Sequence, residues 1–318
     1  MESFFHFQGD EKIVDKFPKN LRVNADDFGL DPRISAGILD CIEKGLIHSF
    51  SVVQFTDEYH DRLLKDIIAK YPWIKIGVHL NFLSQKSIAK ELTEQKNHFL
   101  EFLKLYVLGE FPEAKIYEVW KNQIEFLGKY LGGNEKISHL DSHQHLHLLP
   151  GLWAIAEYLQ GEYRIQKLRI PYEGIWQAAF FRFPFGLAMQ ILAGCIYFRS
   201  KFFWGFENLG PIFEGANSEW TIGLPLERTL GRPLRSPPSR LIGFFTSTSF
   251  NFKSNYLAFL MVKNNPKIQF ELMVHPALNI YPNISSDGKI QFNEVEELEK
   301  VCEFFREGIL NGKDKTPA

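Results

Sequence analysis

Two adjacent carboxylates, Asp26 and Asp27, follow the first apolar run of the chain, within the segment NADDFG at residues 24–29. Neighbouring side chains leave the backbone in different directions, so one Asp can bind a cation while the other faces a water molecule beside it. The alternative is structural, because an Asp before Phe28-Gly29 can also cap a turn. The pair alone leaves both interpretations open.

A histidine cluster, HLDSHQHLH at residues 139–147, contains four of the ten histidines of the chain. If the segment is a strand, its alternation places His139, Asp141, His143 and His145 on one face. A strand rises roughly 3.3 Å per residue, so the outermost histidines would lie about 26 Å apart and cannot share one ion. We therefore expect one or two of them to bind a metal and the others to contact those ligands, a substrate or the protein interior.

Two further histidines end apolar runs. His79 lies in GVHLN at residues 77–81, and His275 lies in MVHP at residues 273–276. Each could be a hydrogen-bonded structural residue when considered alone. Because similar polar residues follow several predicted strands, a shared site becomes the better interpretation.

Together these motifs predict one Asp and two His on a single divalent ion with open positions for water, which is the composition of a catalytic metal site. Such an ion lowers the pKa of bound water toward about 7. A nearby carboxylate can then take a proton from the water, and a histidine can give one to a leaving amine.

The elements that must position these residues alternate between strand and helix. Strands are predicted at residues 21–24, 49–55, 74–80, 137–145, 168–170, 241–245 and 270–274. Helices are predicted at residues 32–44, 58–70, 117–131, 253–262 and 292–310, the first with Asp31 as its N-cap. This alternation predicts parallel β-α-β units. About seven strands favour an α/β fold of the distorted or incomplete barrel type over an open doubly wound sheet.

Composition excludes several classes of protein. The 318 residues carry a net charge of -2 without a basic stripe, which argues against a nucleic-acid partner. Three scattered cysteines predict no disulfide framework and fit a reducing, cytoplasmic compartment. The first residues lack a signal-peptide pattern, and the apolar residues 183–198 are fewer than the roughly 20 needed to span a membrane, so stable membrane insertion is not expected. A homo-oligomer remains an open alternative.

The predicted organisation is an N-terminal extension at residues 1–20 and one catalytic (β/α) barrel domain at residues 21–312. Residues 84–113 form an insertion in this prediction. Residues 176–239, which contain a Pro- and Arg-rich stretch, are predicted to form a cap inserted into the barrel domain.

The motifs NADDFG, GVHLN, HLDSHQHLH and the late VHP resemble, in this order, those of the YdjC family of carbohydrate deacetylases, which includes chito-oligosaccharide deacetylases. The resemblance runs from about residue 21 to residue 275. It implies a distorted TIM-like barrel related to polysaccharide deacetylases. It also implies a metal-dependent hydrolase, with one divalent ion such as Mg²⁺ or Zn²⁺, that removes acetyl groups from small N-acetylated sugars or oligosaccharides.

The resemblance also implies roles for single residues. Asp26 is similar to the general base of the family and His275 to its catalytic acid. Asp27, His79 and His143 are similar to its metal ligands. Four further residues are weaker candidates, either for contact with the substrate or for contact with the metal ligands. They are Arg169, which resembles a residue that orients the carboxylate base, and Asp141, His145 and Asn81.

Two alternatives accompany this prediction. The same metal site could hydrolyse another amide or a phosphoester, although such phosphate chemistry more often comes with a second metal or an Arg/Lys clamp. A sugar-binding protein without catalysis is the other. The chain also departs from the family pattern, with Gln144 where a further histidine is common and Ala277 where glycine is frequent.

Overall fold

The structure is a computed structural model that describes residues 16–82, 113–149, 151–172, 193–195, 240–242, 252–277 and 294–311, together with residues 102, 106, 108 and 191. The strands are β1 (Leu21–Phe28), β2 (Ser49–Val52), β3 (Lys75–Leu80), β4 (His139–Ser142), β5 (Lys167–Leu168), β6 (Arg240–Ile242) and β7 (Phe270–Val274). The α-helices are α1 (Pro32–Glu43), α2 (Glu58–Lys70), α3 (Glu113–Leu131), α4 (Leu152–Glu162), α5 (Phe252–Asn264) and α6 (Glu294–Asn311). Two short 3₁₀ segments lie at Asn134–Lys136 and His143–Leu148.

The chain divides into two compact units. Unit 1 consists of Met1–Ile76 and Ser239–Ala318, and unit 2 consists of Gly77–Pro238. The strands of unit 1 lie in the order β2-β1-β7-β6, and the printed pairs are parallel. In unit 2 the order is β5-β4-β3, again with parallel pairs.

Strand β1 is at the centre of unit 1 and is buried along nearly its whole length. Leu21, Val23, Ala25 and Phe28 are at most 1% exposed, as expected for a parallel strand covered on both faces. Its neighbour β7 is buried at all five positions. This packing fixes the carboxyl end of β1, where the paired carboxylates lie.

Helix α1 follows that strand end and begins as its sequence predicts. The side chain of Asp31 accepts a hydrogen bond from the backbone N–H of Arg33 at 2.8 Å, and Pro32 occupies the first turn. Arg33 also holds this carboxylate with its guanidinium, and that hydrogen bond lowers the pKa of Asp31. The cap therefore defines where α1 starts after the turn that follows Asp27.

Replacing Asp31 by Ala is expected to lower the free energy of unfolding by about 1 kcal/mol, because one N–H of the first turn of α1 loses its acceptor. Urea unfolding followed by circular dichroism measures the change. Asp66→Ala is the matched control, since Asp66 is an exposed residue of α2 outside the first turn. Equal stabilities of the two variants would contradict the capping role.

Unit 2 buries one face of α3 and both sides of β3 and β4. The buried positions of α3 recur at helical spacing: Ile116, Val119, Trp120, Gln123, Ile124, Leu127 and Gly128. Gly77 in β3 allows a close approach, because a Cβ there would lie 2.4 Å from the ring of His139. Strands β3 and β4 can therefore pair with the His139 ring packed directly against Gly77.

Several predicted elements are confirmed. Helix α2 and strand β7 have the predicted bounds, and the parallel α/β class is observed. The predicted strand at residues 137–145 is wrong beyond Ser142, where the chain turns into the 3₁₀ segment. Strand β1 is longer than predicted and continues through the two carboxylates to Phe28.

Some predicted segments lie mainly outside the described residues. They are most of the extension at residues 1–20, nearly all of the insertion at residues 84–113, and almost all of the cap at residues 176–239 with its apolar residues 183–198. Among the described residues, none of the helices is both long and apolar enough to cross a membrane.

Candidate active site

The paired carboxylates of unit 1 lie at a β-bulge. Ala25 pairs with Phe50 of β2 and Phe28 pairs with Val52, so β1 has one more residue than β2 between the two pairs. Asp27 has a φ of 71°, in the left-handed region that few non-glycine residues occupy. Because a bulge changes the direction of the side chains at a strand end, this irregularity sets how the two carboxylates are presented.

Hydrogen bonds hold Asp26 in one orientation. Its Oδ1 accepts from Asn24 Nδ2 at 2.7 Å and from Ser51 Oγ at 3.3 Å. The hydroxyl of Ser49 donates to Oδ1 of Asn24, which fixes that amide with its nitrogen toward Asp26. The carboxylate is only 1% exposed, so these polar neighbours replace water as its partners.

His275 lies next to Asp27 in unit 1. The β1–β7 register pairs Ala25 with Val274, so the residues after them leave the two strands at the same level. The distance between His275 Nε2 and Asp27 Oδ2 is 3.7 Å. The structure therefore brings together one predicted ligand and the predicted acid.

The backbone that carries His275 is held on two sides. Its N–H donates to Oε2 of Glu294, the first residue of α6, at 2.6 Å. A Cβ at Gly37 of α1 would lie 2.5 Å from the carbonyl oxygen of Pro276, so a glycine is required where this loop passes the helix. Both contacts fix the place of the imidazole beside Asp27.

In unit 2, His79 is paired with a buried carboxylate. The β3–β4 register places His79 opposite Asp141, and Nδ1 lies 2.7 Å from Asp141 Oδ1. The guanidinium of Arg169 lies 2.9 Å from the other oxygen, Oδ2. The three side chains are at most 2% exposed.

His143 follows directly on the end of β4. Its ring centroid is 5.7 Å from that of His79, with the rings nearly perpendicular at 81°. Gln144 and His145 then take left-handed φ values of 53° and 56°. The predicted row of side chains on one strand face is therefore wrong after Ser142, but two of the predicted ligands do lie together in unit 2.

His147 holds the turn after β4, a role that the sequence motif alone does not predict. Ser142 Oγ lies next to its Nδ1 and accepts a hydrogen bond from its backbone N–H at 3.0 Å. Its Nε2 donates to the carbonyl of Arg169 at 2.8 Å, which leaves Nδ1 to accept from the hydroxyl. This neutral imidazole clamps the loop that presents His143 to the end of β5.

Burial lowers the pKa of His147 to about 4. The unfolded chain, with an ordinary His pKa of about 6.5, binds a proton between these values that the folded chain does not bind. Stability should therefore fall as the pH decreases from 6.5 to 4, by about 3 kcal/mol from this residue. Urea unfolding of wild type and His147→Gln across this range, with a chelator present, measures the difference. If the free energy of unfolding changes equally with pH in both proteins, this prediction is contradicted.

The remaining predicted residues have identifiable surroundings. The backbone N–H of Asn81 donates to Gln123 Oε1 at 3.0 Å, which ties the end of β3 to α3. His145 is 8% exposed, and its ring lies 6.4 Å from that of His147. Direct contacts of Asn81, His145 and Arg169 with a substrate, and of Arg169 with the carboxylate base, stay predictions.

The chain carries Asp and His groups of the kinds that hold a divalent ion. The chemistry of the donors fits such an ion. A histidine whose Nδ1 bonds to a carboxylate is the usual form of a metal-binding imidazole, and Asp supplies an anionic oxygen. These donor types accommodate Zn²⁺ as well as Mg²⁺.

Comparison with known proteins identifies relatives that are named carbohydrate deacetylases. A carbohydrate deacetylase of Vibrio parahaemolyticus is 31% identical over 144 residues, which cover 45% of this chain and 55% of the relative. One of Vibrio cholerae is 28% identical over 184 residues, or 57% of this chain and 65% of the relative. One of Xenopus laevis is 26% identical over 162 residues, or 48% and 51%. The chain thus spans between about half and two thirds of the length of these relatives.

A crystal structure of a protein from Enterococcus faecalis V583, named for cellobiose-phosphate cleavage, has a TM-score of 0.52 and 18% sequence identity. The match covers 91% of this chain and 95% of the other. It confirms the predicted fold class, an α/β fold of the incomplete TIM-like barrel type. A family model described as YdjC-like protein matches residues 20–305. Because this match includes nearly the whole sequence, the chain belongs to the YdjC-like protein family.

Proposed function

We propose that this chain is a metal-dependent carbohydrate deacetylase that hydrolyses the acetamido group of a small N-acetylated sugar. The observation that carries the proposal is the arrangement in unit 1, where buried Asp26 adjoins Asp27 and His275 Nε2 lies 3.7 Å from Asp27 Oδ2. An oriented carboxylate and an imidazole at neighbouring strand ends supply a proton acceptor and a proton donor. The family and the names of the relatives support the same activity.

In this proposal Asp27, His79 and His143 hold one divalent ion. The chemical fit of the donors supports it, as does the nearness of His79 to His143 within unit 2. When bound, such an ion supplies Lewis acidity, which makes water more acidic and stabilises negative charge on the acetyl oxygen.

Two further residues, Asp26 and His275, transfer protons in this proposal. Asp26 accepts a proton from the attacking water, and hydrogen bonds from Asn24 and Ser51 to its Oδ1 hold the carboxylate in place for this role. The water oxygen bonds to the acetyl carbon, and the bond from that carbon to the sugar nitrogen breaks. His275 gives a proton to the leaving nitrogen. The products are acetate and the free amino sugar.

The direct test is incubation of purified protein with N,N′-diacetylchitobiose and Mg²⁺ or Zn²⁺, with acetate measured enzymatically. We expect acetate to appear in proportion to enzyme, and to disappear when a chelator is added. No acetate with either ion, across N-acetylated mono- and oligosaccharides, would overturn the proposal.

The same preparations distinguish the alternatives. Turnover of 4-nitrophenyl phosphate in place of the acetylated sugars would indicate a phosphoesterase. Sugar binding in calorimetry, with no acetate released in the enzymatic assay, would indicate a binding protein. The proposal requires that acetylated sugars be the preferred substrates.

A further inference from the structure

We infer that Asp141 is a positioning residue, which keeps the proton of the His79 ring on Nδ1 and thereby turns Nε2 into the metal-binding nitrogen. The inference deepens the proposed function and rests on it, because it assigns to His79 a divalent ion. It concerns the neutral ring in the protein before any ion binds, and can be tested in that state.

The hydrogen bond between the two residues defines the donor. The distance from His79 Nδ1 to Asp141 Oδ1 is 2.7 Å, within the range of a charge-assisted hydrogen bond. An ionised carboxylate only accepts hydrogen bonds, so Nδ1 must be the nitrogen that carries the proton. The lone pair of a neutral ring is then on Nε2.

Arg169 supplies a charge opposite to that of Asp141. Its guanidinium lies 2.9 Å from Oδ2, and Asp141 is fully buried. A buried carboxylate needs an opposite charge and hydrogen-bond donors beside it, and the guanidinium is always positively charged. Because Arg169 provides the charge on the Oδ2 side, His79 needs to provide only a hydrogen bond to Oδ1.

The strands make this arrangement rigid. The parallel register places Asp141 directly opposite His79, and both belong to buried strands of unit 2. The carboxylate therefore reaches Nδ1 without a loop rearrangement. The backbone N–H of Arg169 bonds to the carbonyl of Leu140 at 2.9 Å, so the cation is also placed by the sheet.

Replacing Asp141 by Asn should move the proton of the His79 ring from Nδ1 to Nε2. The amide oxygen would face the Arg169 donors, which leaves the amide NH₂ toward Nδ1 of His79. Nδ1 must then accept a hydrogen bond, and the proton moves to Nε2, where it blocks an ion. Loss of such a carboxylate behind a ligand typically weakens metal affinity by roughly 10-fold to 100-fold.

Two measurements test the inference. Long-range ¹H–¹⁵N spectra of the chelator-treated protein report which ring nitrogen of His79 carries the proton, with the signal assigned by its absence from His79→Gln. Calorimetric titration with Zn²⁺ alone, and with Mg²⁺ alone if Zn²⁺ does not bind, gives the affinity of wild type, Asp141→Asn and the control Asp66→Asn, an exposed site with the same chemical change. We expect Nδ1–H in wild type, Nε2–H in Asp141→Asn, and Zn²⁺ binding roughly 10-fold to 100-fold weaker in Asp141→Asn only.

The outcomes separate this inference from the proposed function. Nε2–H in the wild-type protein overturns the role of Asp141, and this needs no variant to fold. Normal Zn²⁺ binding by wild type and unchanged binding by Asp141→Asn overturns only that role. Failure of the wild-type protein to bind either Zn²⁺ or Mg²⁺ overturns the proposed function together with the inference.

Discussion

Replacing Asp26 by Asn is expected to lower the rate of sugar deacetylation by a factor on the order of 10² to 10⁴, the usual contribution of a positioned general base. The hydrogen bonds around this residue make the substitution informative. Asn24 presents its Nδ2 to Oδ1 of Asp26, and Ser49 fixes that amide by donating to its other end. An amide at position 26 should therefore turn its oxygen toward Asn24 and its NH₂ toward the attacking water, which it cannot deprotonate.

The loss should be in kcat, because the proposed metal ligands are unchanged. Initial rates of acetate release, measured at several concentrations of N,N′-diacetylchitobiose, separate kcat from KM, and Zn²⁺ titration checks that the ion still binds. Asp66→Asn makes the same change at an exposed position of α2 and should retain wild-type rates. An Asp26→Asn protein that turns over at the wild-type rate would exclude Asp26 as the base.

Much of the scaffold could be predicted from local sequence. Helix α2 has the predicted bounds because the signals that form it are local: Asp57 caps its first turn, and its buried residues recur at helical spacing. Strand β7 is a short apolar run that ends before His275-Pro276. Such signals depend on neighbouring residues only, and the placement of functional side chains at strand ends followed from them.

The local geometry of the site could not be predicted in the same way. The bulge at Asp26 and Asp27 is an offset between β1 and β2, so it depends on a strand more than twenty residues away. The alternation of the histidine cluster imitates a strand, yet β4 stops at Ser142. His147 bonds to Ser142 and to the carbonyl of Arg169, and these distant contacts favour a turn in place of further strand.

The partner of Asp141 illustrates the same limit. The alternation within one strand places Asp141 on the same face as His139, His143 and His145. In the structure its Oδ1 bonds to His79 on the neighbouring strand, which the β3–β4 register determines. Periodicity within a strand identifies which residues share a face, whereas pairing between strands decides which of them touch.

Replacing Asp27 by Ala is expected to weaken Zn²⁺ binding by a factor on the order of 10² to 10³, since total binding energies of roughly 10–16 kcal/mol for four-ligand zinc sites correspond to about 2.5–4 kcal/mol per ligand. The stabilisation that saturating metal gives to the folded chain should fall with it; for the wild type this is about 2.7 kcal/mol at 100 times the Kd. Calorimetry and thermal unfolding with and without Zn²⁺ measure both effects.

The substitution also tests whether Asp27 shares its ion with His79. If both hold one ion, the effects of Asp27→Ala and His79→Ala on Zn²⁺ affinity should not add in the double variant, because a site that has lost one ligand has less binding energy to lose with the second. Asp66→Ala is the control for removal of a carboxylate. Wild-type affinity in Asp27→Ala would mean that Asp27 lies outside the metal site, and strictly additive losses in the double variant would mean that Asp27 and His79 do not share one ion. Either result would require a different ligand in the proposed deacetylase.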